Sequence, residues 1–220
     1  MATAKDLYKN LVHIGHRTSL WNPKMKPFIY GIKNRVHIFD LKKTEECLET
    51  ATKFLEETTK QGKKVLFVGT KPQASLVMKE LVAPTNFFYV DEKWAPGLLT
   101  NFKELRKRID HYLNLKSQFE SGEIKKYTKK EVSKFQKDLD KLDKAYHGVA
   151  EMRKKPDVLI VLDAVGDIQS IREANVSKLA VVAITDTNAD PDNIDFPIPA
   201  NDDSVKSVRF LVSTLLKSLA

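Results

Sequence analysis

The sequence predicts a three-layer α/β protein, a parallel sheet with helices on both faces, into which an antiparallel coiled-coil helical hairpin is inserted. Short, continuously apolar runs alternate with stretches of helical periodicity, which is typical of strands buried on both faces of a parallel sheet. One long stretch instead repeats apolar residues at alternating steps of three and four, the spacing of a coiled coil. We therefore predict a sheet domain formed by residues 1–101 and 151–220 and a hairpin formed by residues 102–150.

Predicted strands and helices alternate along the sheet domain. The apolar runs that we interpret as strands are residues 36–39, 65–68, 87–90, 158–162 and 179–184. Helices are predicted over residues 43–60, after Pro72, over residues 168–174, and after the capping cluster of Asp202, Asp203 and Ser204. Strands that alternate with helices indicate a parallel sheet joined by crossover connections.

The hairpin is predicted from two matched apolar repeats that are joined near Gly122. The first repeat contains Phe102, Leu105, Ile109, Tyr112 and Phe119, with Lys116 at one seam position; the second contains Val132, Phe135, Leu139, Leu142, Tyr146 and Val149. Thr128 and Glu131 have the spacing of a capping box at the start of the second helix. The outer faces carry Lys125, Lys126, Lys129, Lys130, Lys134, Lys137, Lys141 and Lys144. Because aspartates lie among these lysines, a polyanion-binding surface and a solubilising surface both remain open.

Composition and charge restrict the possible partners. The 220 residues carry a formal charge of +8, with a sequence pI near 9.3, which favours RNA, DNA or an anionic membrane. No apolar run approaches the roughly 20 residues that span a bilayer, so we expect no membrane partner. The single cysteine, Cys47, and an amino terminus without an apolar signal core favour the cytosol.

The most informative segment lies between Asp6 and Asp40, where the chain has no acidic side chain. It contains six cations, which are Lys9, Arg17, Lys24, Lys26, Lys33 and Arg35, and the aromatic residues Trp21, Phe28 and Tyr30 are interleaved with them. Pro23, Pro27 and Gly31 exclude one continuous amphipathic helix. We expect residues 9–35 to form an extended basic loop whose cations face a polyanion and whose rings stack or wedge. The alternative is an ordinary solvated loop followed by a strand.

Two short motifs have both a functional and a structural interpretation. Residues 13–16, His-Ile-Gly-His, match the tetrapeptide with which class I aminoacyl-tRNA synthetases bind ATP, but the other parts of such an enzyme are not evident. Residues 69–71 lead from a strand into a helix, which is a geometry that binds phosphate. The Walker and dinucleotide-binding spacings are missing there, and Lys71 suits an RNA phosphate equally well.

We predict no dedicated metal site. The candidate ligands are His16, Asp186 and Asp190. The loop at residues 186–192 departs from the spacing of a calcium loop, and Asp, Asn and Pro are also turn residues. A structural role for this loop is therefore favoured.

Several blocks of the sequence together resemble the bacterial type of small-subunit ribosomal protein S-two. They are residues 12–18, 21–31, 34–38, 66–71, 99–101, 186–192 and 198–203, and the block WNPKMKPFIYG at residues 21–31 is highly specific. The blocks cover nearly the whole chain in consistent order. The chain departs from the family at Ala95-Pro96-Gly97, where a Gly-Gly pair is usual, and it ends without the polar tail that many relatives carry.

This resemblance implies a flavodoxin-like sheet with an inserted helical hairpin and a structural, non-enzymatic role in the small ribosomal subunit. It implies a position at the head–body neck, on the solvent side of a cytoplasmic ribosome. The implied partners are ribosomal RNA and neighbouring ribosomal proteins, including the messenger-binding protein S-one. We expect no cofactor apart from Mg²⁺ of the RNA environment.

We expect the RNA contacts to come from Arg17, Trp21, Asn22, Lys24, Lys26, Phe28, Tyr30, Lys33, Asn34, Arg35 and Lys71. The cations neutralise phosphates, while the rings shape the segment or pack on sugar and base faces. Replacing Lys24 or Lys26 by Ala is then expected to weaken RNA binding and to reduce its salt dependence by about one unit each.

Two other classes of function remain open at this point. A flavodoxin-like nucleotide-binding enzyme would use residues 69–71 with His13 and His16, and it would bind ATP, GTP or a flavin nucleotide tightly. A helical adaptor would bind only protein through its hairpin, and high salt would strip it from small subunits.

Overall fold

The computed structural model of the chain describes residues 3–219, apart from the side chain of Lys125. Within this range the strands are β1 (Ile14–Arg17), β2 (Ile29–Lys33), β3 (Val36–Phe39), β4 (Val65–Val68), β5 (Phe88–Val90), β6 (Val158–Val161), β7 (Ala180–Thr185) and β8 (Phe196–Pro199). The α-helices are α1 (Ala4–Lys9), α2 (Leu41–Lys60), α3 (Pro72–Leu81), α4 (Phe102–Glu120), α5 (Lys129–Tyr146), α6 (Ile168–Val176) and α7 (Val205–Ser218). Short 3-10 helices lie at Pro23–Phe28, Glu123–Lys126, His147–Val149 and Pro191–Asn193.

Five strands form the predicted parallel sheet, in the order β5-β4-β6-β7-β8. Counted within this sheet alone, the order is 2-1-3-4-5, which is that of flavodoxin-like folds. Every residue of β4 and β6 is buried, because helices cover both faces of the sheet. The strand order reverses between β4 and β6, so the switch point where such folds bind ligands lies at the carboxyl ends of these two strands.

Two hydrophobic cores lie on opposite faces of the parallel sheet. Val65 and Phe67 point into a core with α2, α3 and α7, whereas Leu66 and Val68 point into a core with α4 and α6. Successive side chains of a strand alternate between faces, which accounts for this division. Full burial of one such side chain contributes roughly 1.5–3 kcal/mol, so the helices on both faces are held firmly on the sheet.

Helices α4 and α5 pack against each other and form the inserted helical pair. Across this pair the Tyr112 hydroxyl donates a hydrogen bond to the Asp143 carboxylate at 2.6 Å. Leu115, and not Lys116, is the buried position of α4, because about 3.6 residues per turn bring residue 115 onto the face of Tyr112. The coiled-coil character of the pair and the domain boundaries stay predictions. Phe102 and Leu105, at the start of α4, belong to the same hydrophobic core as one face of the parallel sheet.

The prediction of an extended loop at residues 9–35 is wrong, because this segment forms a second sheet. The sheet is antiparallel and has the order β1-β3-β2. Residues 36–39 are a strand, as predicted, but this strand pairs here and not in the parallel sheet. Both prolines lie in the 3-10 helix Pro23–Phe28, between the strands. The sequence pattern failed because β2 exposes the apolar residues Tyr30 and Ile32, the reverse of the usual alternation.

Strand β8 was not predicted, since the run Phe-Pro-Ile-Pro contains two residues without a backbone N–H. Proline is excluded from central strands for this reason and is tolerated at sheet edges. β8 pairs only with β7 and forms one edge of the parallel sheet, so it needs donors on one side only.

The caps of the predicted helices are partly as expected. Thr128 and Glu131 form the predicted capping box of α5. At α7 the Ser204 side chain makes no capping bond, and the Asn201 side chain instead accepts hydrogen bonds from the backbone N–H groups of Asp203 and Ser204 at 2.8 and 3.1 Å. The turn before α7 therefore leaves the side chain of Asp202 for another contact.

Among the helices within residues 3–219, none has both the length and the apolar character that crossing a bilayer requires.

Candidate nucleic-acid interface

The antiparallel sheet ends in a tight turn at its tip. Asn34 and Arg35 join β2 to β3 with φ angles of 51° and 64°, and Lys33 pairs with Val36 on either side of them. Positive φ at both central residues is typical of a type I′ turn, whose twist matches that of a hairpin. A left-handed conformation costs a residue with a Cβ roughly 1–2 kcal/mol. The tip thus holds a strained and exposed arginine.

This sheet is fixed to the loop that follows β7. The backbone N–H of His16 donates to Thr187 Oγ1 at 2.9 Å, and the N–H of Asn22 donates to the Thr187 carbonyl at 2.7 Å. Gly15 lies so close that a Cβ on it would stand 2.5 Å from Thr187 Cγ2. The structure therefore gives the loop at residues 186–192 a structural role, because it orients the antiparallel sheet on the parallel one.

Five cations of the antiparallel sheet and its 3-10 helix are exposed; we call four of them, Arg17, Lys26, Lys33 and Arg35, the basic surface, and the fifth is Lys24. Among residues 3–219, none of the four forms an ion pair with a carboxylate within 4.0 Å. Unpaired charges of one sign produce a positive potential over the surface that carries them. The basic surface is therefore the part of the predicted site that is open to an anion, and Asn34 is exposed beside it.

The aromatic residues of the predicted site are placed differently from one another. Trp21 is half-buried, with its ring centroid 5.1 Å from that of the His37 ring. Phe28 is also half-buried, whereas Tyr30 is 81% exposed. The Asn22 side chain accepts a hydrogen bond from the backbone N–H of Lys24 at 3.0 Å and so caps the 3-10 helix. Tyr30 is thus the predicted ring that is most accessible to a base.

Lys24 lies in an ion pair within the protein. Its Nζ stands 2.7 Å from the Asp190 carboxylate and 2.6 Å from that of Asp192. Hydrogen bonds to these two carboxylates raise the pKa of Lys24. The pair connects the 3-10 helix of the antiparallel sheet to the loop after β7, so Lys24 and Asp190 are both already engaged.

Lys71 is likewise paired with carboxylates. Its Nζ lies 2.6 Å from Asp202 and 2.6 Å from Asp203. Burial disfavours its charge, but the hydrogen bonds to these carboxylates outweigh burial and raise the pKa of Lys71. Burial, together with the nearby charges of Asp186 and Asp163, raises the pKa of Asp202 to about 7. Within this pair Lys71 keeps its proton, and Asp202 is the group that titrates near neutrality.

One group of side chains has the composition of a metal-binding site. His16, Asp186 and Asp202 each offer one ligand atom, and the three atoms lie within 4.8 Å of one another. His16 Nδ1 is 2.9 Å from the Asp186 carboxylate, and this hydrogen bond raises the pKa of His16 against the effect of burial. One imidazole and two carboxylates suit a divalent cation. Sequence reasoning missed Asp202, because it reaches the group only through the pairing of β8 with β7.

The switch point of the parallel sheet is filled by the chain itself. The backbone N–H and the hydroxyl of Thr70 both donate to the Asp167 carboxylate, at 3.0 and 2.8 Å. A Cβ on Gly69 would lie 2.9 Å from the Cβ of Ala74 and 3.0 Å from Leu162 Cδ1, so this glycine allows close packing. A carboxylate thus occupies the hydrogen-bond donors that a phosphate would need. This geometry does not support a nucleotide-binding enzyme.

Glu173 is a side chain with a structural role that the sequence analysis did not predict. Its buried carboxylate accepts hydrogen bonds from Trp94 Nε1 at 3.0 Å and from the backbone N–H groups of Gly97 and Leu99 at 2.8 and 3.1 Å. Burial would raise the pKa of Glu173, but these hydrogen bonds outweigh it and hold the pKa below its usual value. An acidic residue beside Ala174 on the buried face of α6 is the signal that could have identified it.

The parallel sheet is flavodoxin-like, the chain itself fills its switch point, and the basic surface is separate from that point. These features fit a structural α/β protein better than an enzyme. The family model described as Ribosomal protein S2 matches residues 7–220. The chain therefore belongs to the ribosomal protein S2 family, as its resemblance indicated. This is a family of structural proteins, so the prediction that the protein is not an enzyme is confirmed.

Curated relatives agree with this assignment over nearly the whole chain. Small ribosomal subunit protein uS2 of Coprothermobacter proteolyticus is 44% identical over all of this chain and 82% of its own length. The protein of the same name from Psychromonas ingrahamii is 44% identical over 93% of this chain and 84% of its own. That of Buchnera aphidicola is 43% identical over 99% of this chain and 95% of its own.

Proposed function

We propose that the protein is a structural constituent of the small ribosomal subunit and that it binds ribosomal RNA through its basic surface. Membership of the ribosomal protein S2 family and the names of the relatives support the assignment to the subunit. The formal charge of +8 supports a polyanionic partner. We place the protein in the cytoplasmic ribosome, at the head–body neck. This function needs no cofactor beyond the Mg²⁺ that accompanies RNA.

The observation that carries the RNA contact is the strained Arg35. Glycine is the residue that best fits its position in a type I′ turn, because it has no Cβ. The arginine instead holds a guanidinium at the tip of the antiparallel sheet, without a carboxylate partner among the described residues. Strained backbone concentrates at functional sites, and a guanidinium binds phosphate with two parallel hydrogen bonds. Arg35 therefore fits a phosphate contact that offsets its strain.

The remaining residues of the predicted site divide into two roles. Arg17, Lys26 and Lys33 neutralise further phosphates, and Tyr30 stacks on a base or sugar. Trp21, Asn22, Lys24 and Lys71 have partners inside the protein and Phe28 is half-buried, so these five residues stabilise the fold that carries the basic surface. A direct RNA contact by Lys24 would require a phosphate to displace two aspartates.

We also propose that α4 and α5 form a coiled-coil unit over residues 102–150, projecting from a sheet domain of residues 1–101 and 151–220. The hydrogen bond between Tyr112 and Asp143 and the packing of Leu139 and Leu142 support a continuous seam between the helices. Docking of neighbouring ribosomal proteins, including the messenger-binding protein S-one, belongs to this proposal through the family resemblance.

Lys26 and Lys24 form a matched pair for testing the RNA contact, because both lie in the same 3-10 helix and only Lys24 is ion-paired. The assay is filter binding of a small-subunit RNA fragment over a series of salt concentrations. Lys26→Gln is expected to reduce the slope of log affinity against log salt by about 0.9, and Lys24→Gln by clearly less. An unchanged slope for Lys26→Gln would remove this residue from the phosphate contacts.

Assignment to the ribosome is tested separately, by sedimentation of the protein with small subunits through a high-salt gradient. A structural constituent is expected to remain with the particle. If the protein is stripped away while the particle stays intact, the assignment is wrong, and the helical adaptor gains support.

A further inference from the structure

Helices α1, α2 and α7 enclose a groove on the face of the parallel sheet that is opposite to α4 and α6. Its volume is about 460 Å³, within the range of about 300–1,000 Å³ that is typical of binding clefts. Residues 45, 49, 52 and 56 of α2 line it at steps of four, three and four, so they share one face of this helix. At roughly 1.5 Å per residue, this face is about 16 Å long. The groove is therefore large enough for several side chains of a partner.

The buried side of the groove presents an apolar surface. Leu48 is buried there and Phe210 is half-buried. The Thr52 hydroxyl donates a hydrogen bond to the Glu49 carbonyl at 2.9 Å, and the Thr214 hydroxyl donates one to the Phe210 carbonyl at 2.9 Å. Because both hydroxyl donors are used within their own helices, an apolar group can cover them without leaving either donor unpaired.

Acidic side chains predominate among the charged groups of the groove. Four carboxylates and two lysines line it, which gives a formal charge of −2 on a protein whose formal charge is +8. They are Asp6, Glu45, Glu49 and Glu56 with Lys53 and Lys217. Asp6 accepts hydrogen bonds from Thr3 and Glu45 accepts one from the N–H of Ala4 at 3.1 Å, but these neutral donors leave both carboxylates charged. We call this site the acidic groove.

Three of these carboxylates have no cationic partner within the described part of the chain. Lys53 Nζ lies 2.7 Å from the Glu49 carboxylate and neutralises it. Among the described side chains, no lysine, arginine or histidine nitrogen lies within 4.0 Å of the carboxylates of Asp6, Glu45 or Glu56. Unpaired charges of one sign produce a negative potential at the groove, so a cation that enters it gains an interaction.

The combination of an apolar surface and unpaired carboxylates fits the side chains of lysine and arginine. Each has an apolar stem that can lie on Leu48 and Phe210 and a charged head that can reach the carboxylates. The negative charge of the groove repels RNA, whose backbone carries the same sign. A bare metal ion would make no use of the apolar surface. A cationic segment of a protein is therefore the partner that matches both parts of the groove.

We propose that the acidic groove is the docking site for a basic segment of a neighbouring protein in the small subunit. This inference rests on the proposed function, because the subunit brings that neighbour to the groove. The charge of the segment complements the groove, as the phosphates of RNA complement the basic surface. The two surfaces therefore select two classes of partner by opposite charge, and like charge at either surface excludes the wrong partner.

The test is photo-crosslinking in purified small subunits that contain the full chain. The photoreactive residue p-benzoylphenylalanine replaces Lys53 at the groove, and in a control it replaces Thr50, which is exposed on the same helix but does not line the groove. The probe at position 53 is expected to crosslink to one other protein, in a segment where lysines and arginines outnumber acidic residues. The probe at position 50 is expected to form no such crosslink. Mass spectrometry identifies the crosslinked segment.

Two double variants then test whether the carboxylates hold the segment. Glu45→Gln with Glu56→Gln removes charge from the groove, whereas Glu46→Gln with Glu57→Gln removes equal charge from exposed positions that do not line it. Glutamine has nearly the helix propensity of glutamate, so circular dichroism should show the same helix content in both. With the first variant, the crosslink from position 53 should be lost at a salt concentration about twofold lower than with the second, because fewer ion pairs hold the segment against screening.

Four results would overturn the proposal. The first two are no crosslink from position 53 and a crosslink to RNA or to an acidic segment. A crosslink to a second copy of this chain is the third, and it would assign the groove to self-association. The fourth is the same salt dependence in both double variants, which would mean that the carboxylates do not recognise the segment.

Sedimentation of each variant with small subunits separates this inference from the proposed function. If the chain sediments with the particle and position 53 forms no crosslink, the assignment to the subunit stands and the groove is not a docking site. If the chain does not sediment with the particle, both proposals fail.

Discussion

Glu173 is expected to be the side chain that orders the connection between β5 and α4. The three shortest hydrogen bonds that the carboxylate accepts come from the Trp94 indole and from the N–H groups of Gly97 and Leu99, and only 4% of the residue is exposed. We predict that Glu173→Gln destabilises the protein although it keeps the size of the side chain. The amide of Gln brings its own donors towards the Leu99 N–H, which then has no acceptor.

The size of this effect follows from the hydrogen bonds. Hydrogen bonds to a charged group contribute about 1.5–3 kcal/mol against about 0.5–1.5 kcal/mol for neutral ones, so the two retained bonds weaken by roughly 1 kcal/mol each. A buried donor without an acceptor costs a further 1–3 kcal/mol or so. Relief of the buried charge offsets part of this loss. We expect a net loss of about 2–4 kcal/mol, or about 4–16 °C in Tm for a chain of this size.

The assay is urea denaturation at neutral pH, together with hydrogen exchange at the amides of Gly97 and Leu99. Exchange at Leu99 should accelerate in Glu173→Gln. The exposed residue Glu57 offers a control, and Glu57→Gln should change the free energy of unfolding by less than about 0.5 kcal/mol. Equal stability of Glu173→Gln and wild type, with unchanged exchange at Leu99, would refute the assigned role.

The pH dependence gives a second check on Glu173. Because its pKa is lowered in the folded protein from the unfolded value of 4.5, ionised Glu173 stabilises the fold above that value. The stabilisation is lost as the pH falls through the lowered pKa. The difference between wild type and Glu173→Gln should therefore narrow in acid, and a constant difference would mean that charge is not the cause.

Two further predictions concern the tip of the antiparallel sheet and the base of the hairpin. Arg35→Gly should raise the free energy of unfolding by about 0.5–1 kcal/mol, since glycine adopts positive φ without strain, and yet weaken RNA binding; a variant that loses stability in urea or binds RNA unchanged would contradict this. His147 Nε2 lies 3.0 Å from Asp91 and Nδ1 lies 2.7 Å from the Asp143 carbonyl, and the contact with Asp91 chiefly raises the pKa of His147. The contact therefore stabilises the fold fully below pH 6.5, and this stabilisation is lost as the pH rises through the raised pKa of His147. Wild type should lose stability over that pH range, whereas His147→Gln should not. Parallel pH profiles of the two proteins in urea denaturation would contradict this prediction.

The parallel sheet could be predicted because its strands have a local signature. Strands buried on both faces, such as β4 and β6, are continuously apolar and contrast with the amphipathic helices between them. Helix α2 was predicted to within two residues at its start, where Asp40 accepts a hydrogen bond from the Lys42 N–H and caps the helix. In these elements the local preference and the tertiary environment agree.

Elements at sheet edges were missed, because their pairing partners are distant in the sequence. β8 contains prolines that only an edge strand tolerates, and β2 exposes Tyr30 and Ile32 on a half-exposed sheet. Neither has the alternation that a single sequence reveals. What holds the antiparallel sheet in place is Thr187, which contacts His16 across 171 positions of the sequence.

The same distinction applies to the candidate interface. A segment without carboxylates located the basic surface, since absence of acid is a local property of the sequence. Pairing of Lys24 with Asp190 and of Lys71 with Asp202 joins residues 166 and 131 positions apart, so no local pattern could show which cations are already neutralised. For the same reason, no local pattern could show that Asp202 lies beside His16 and Asp186.

Charge pairing, more than charge number, decides how strongly such a protein can hold RNA. The chain has 37 lysines and arginines and 29 acidic residues, and every cation that is paired within the fold releases no counterion on binding. Lys24 and Lys71 are paired in this way, whereas Lys26 and Arg35 are not. The salt dependence of RNA binding should therefore follow the unpaired cations of the basic surface. If the slope of log affinity against log salt followed the total number of lysines, whichever lysines were removed, RNA binding would depend on the net charge of the whole protein. It would then not depend on the arrangement of charges that the fold creates.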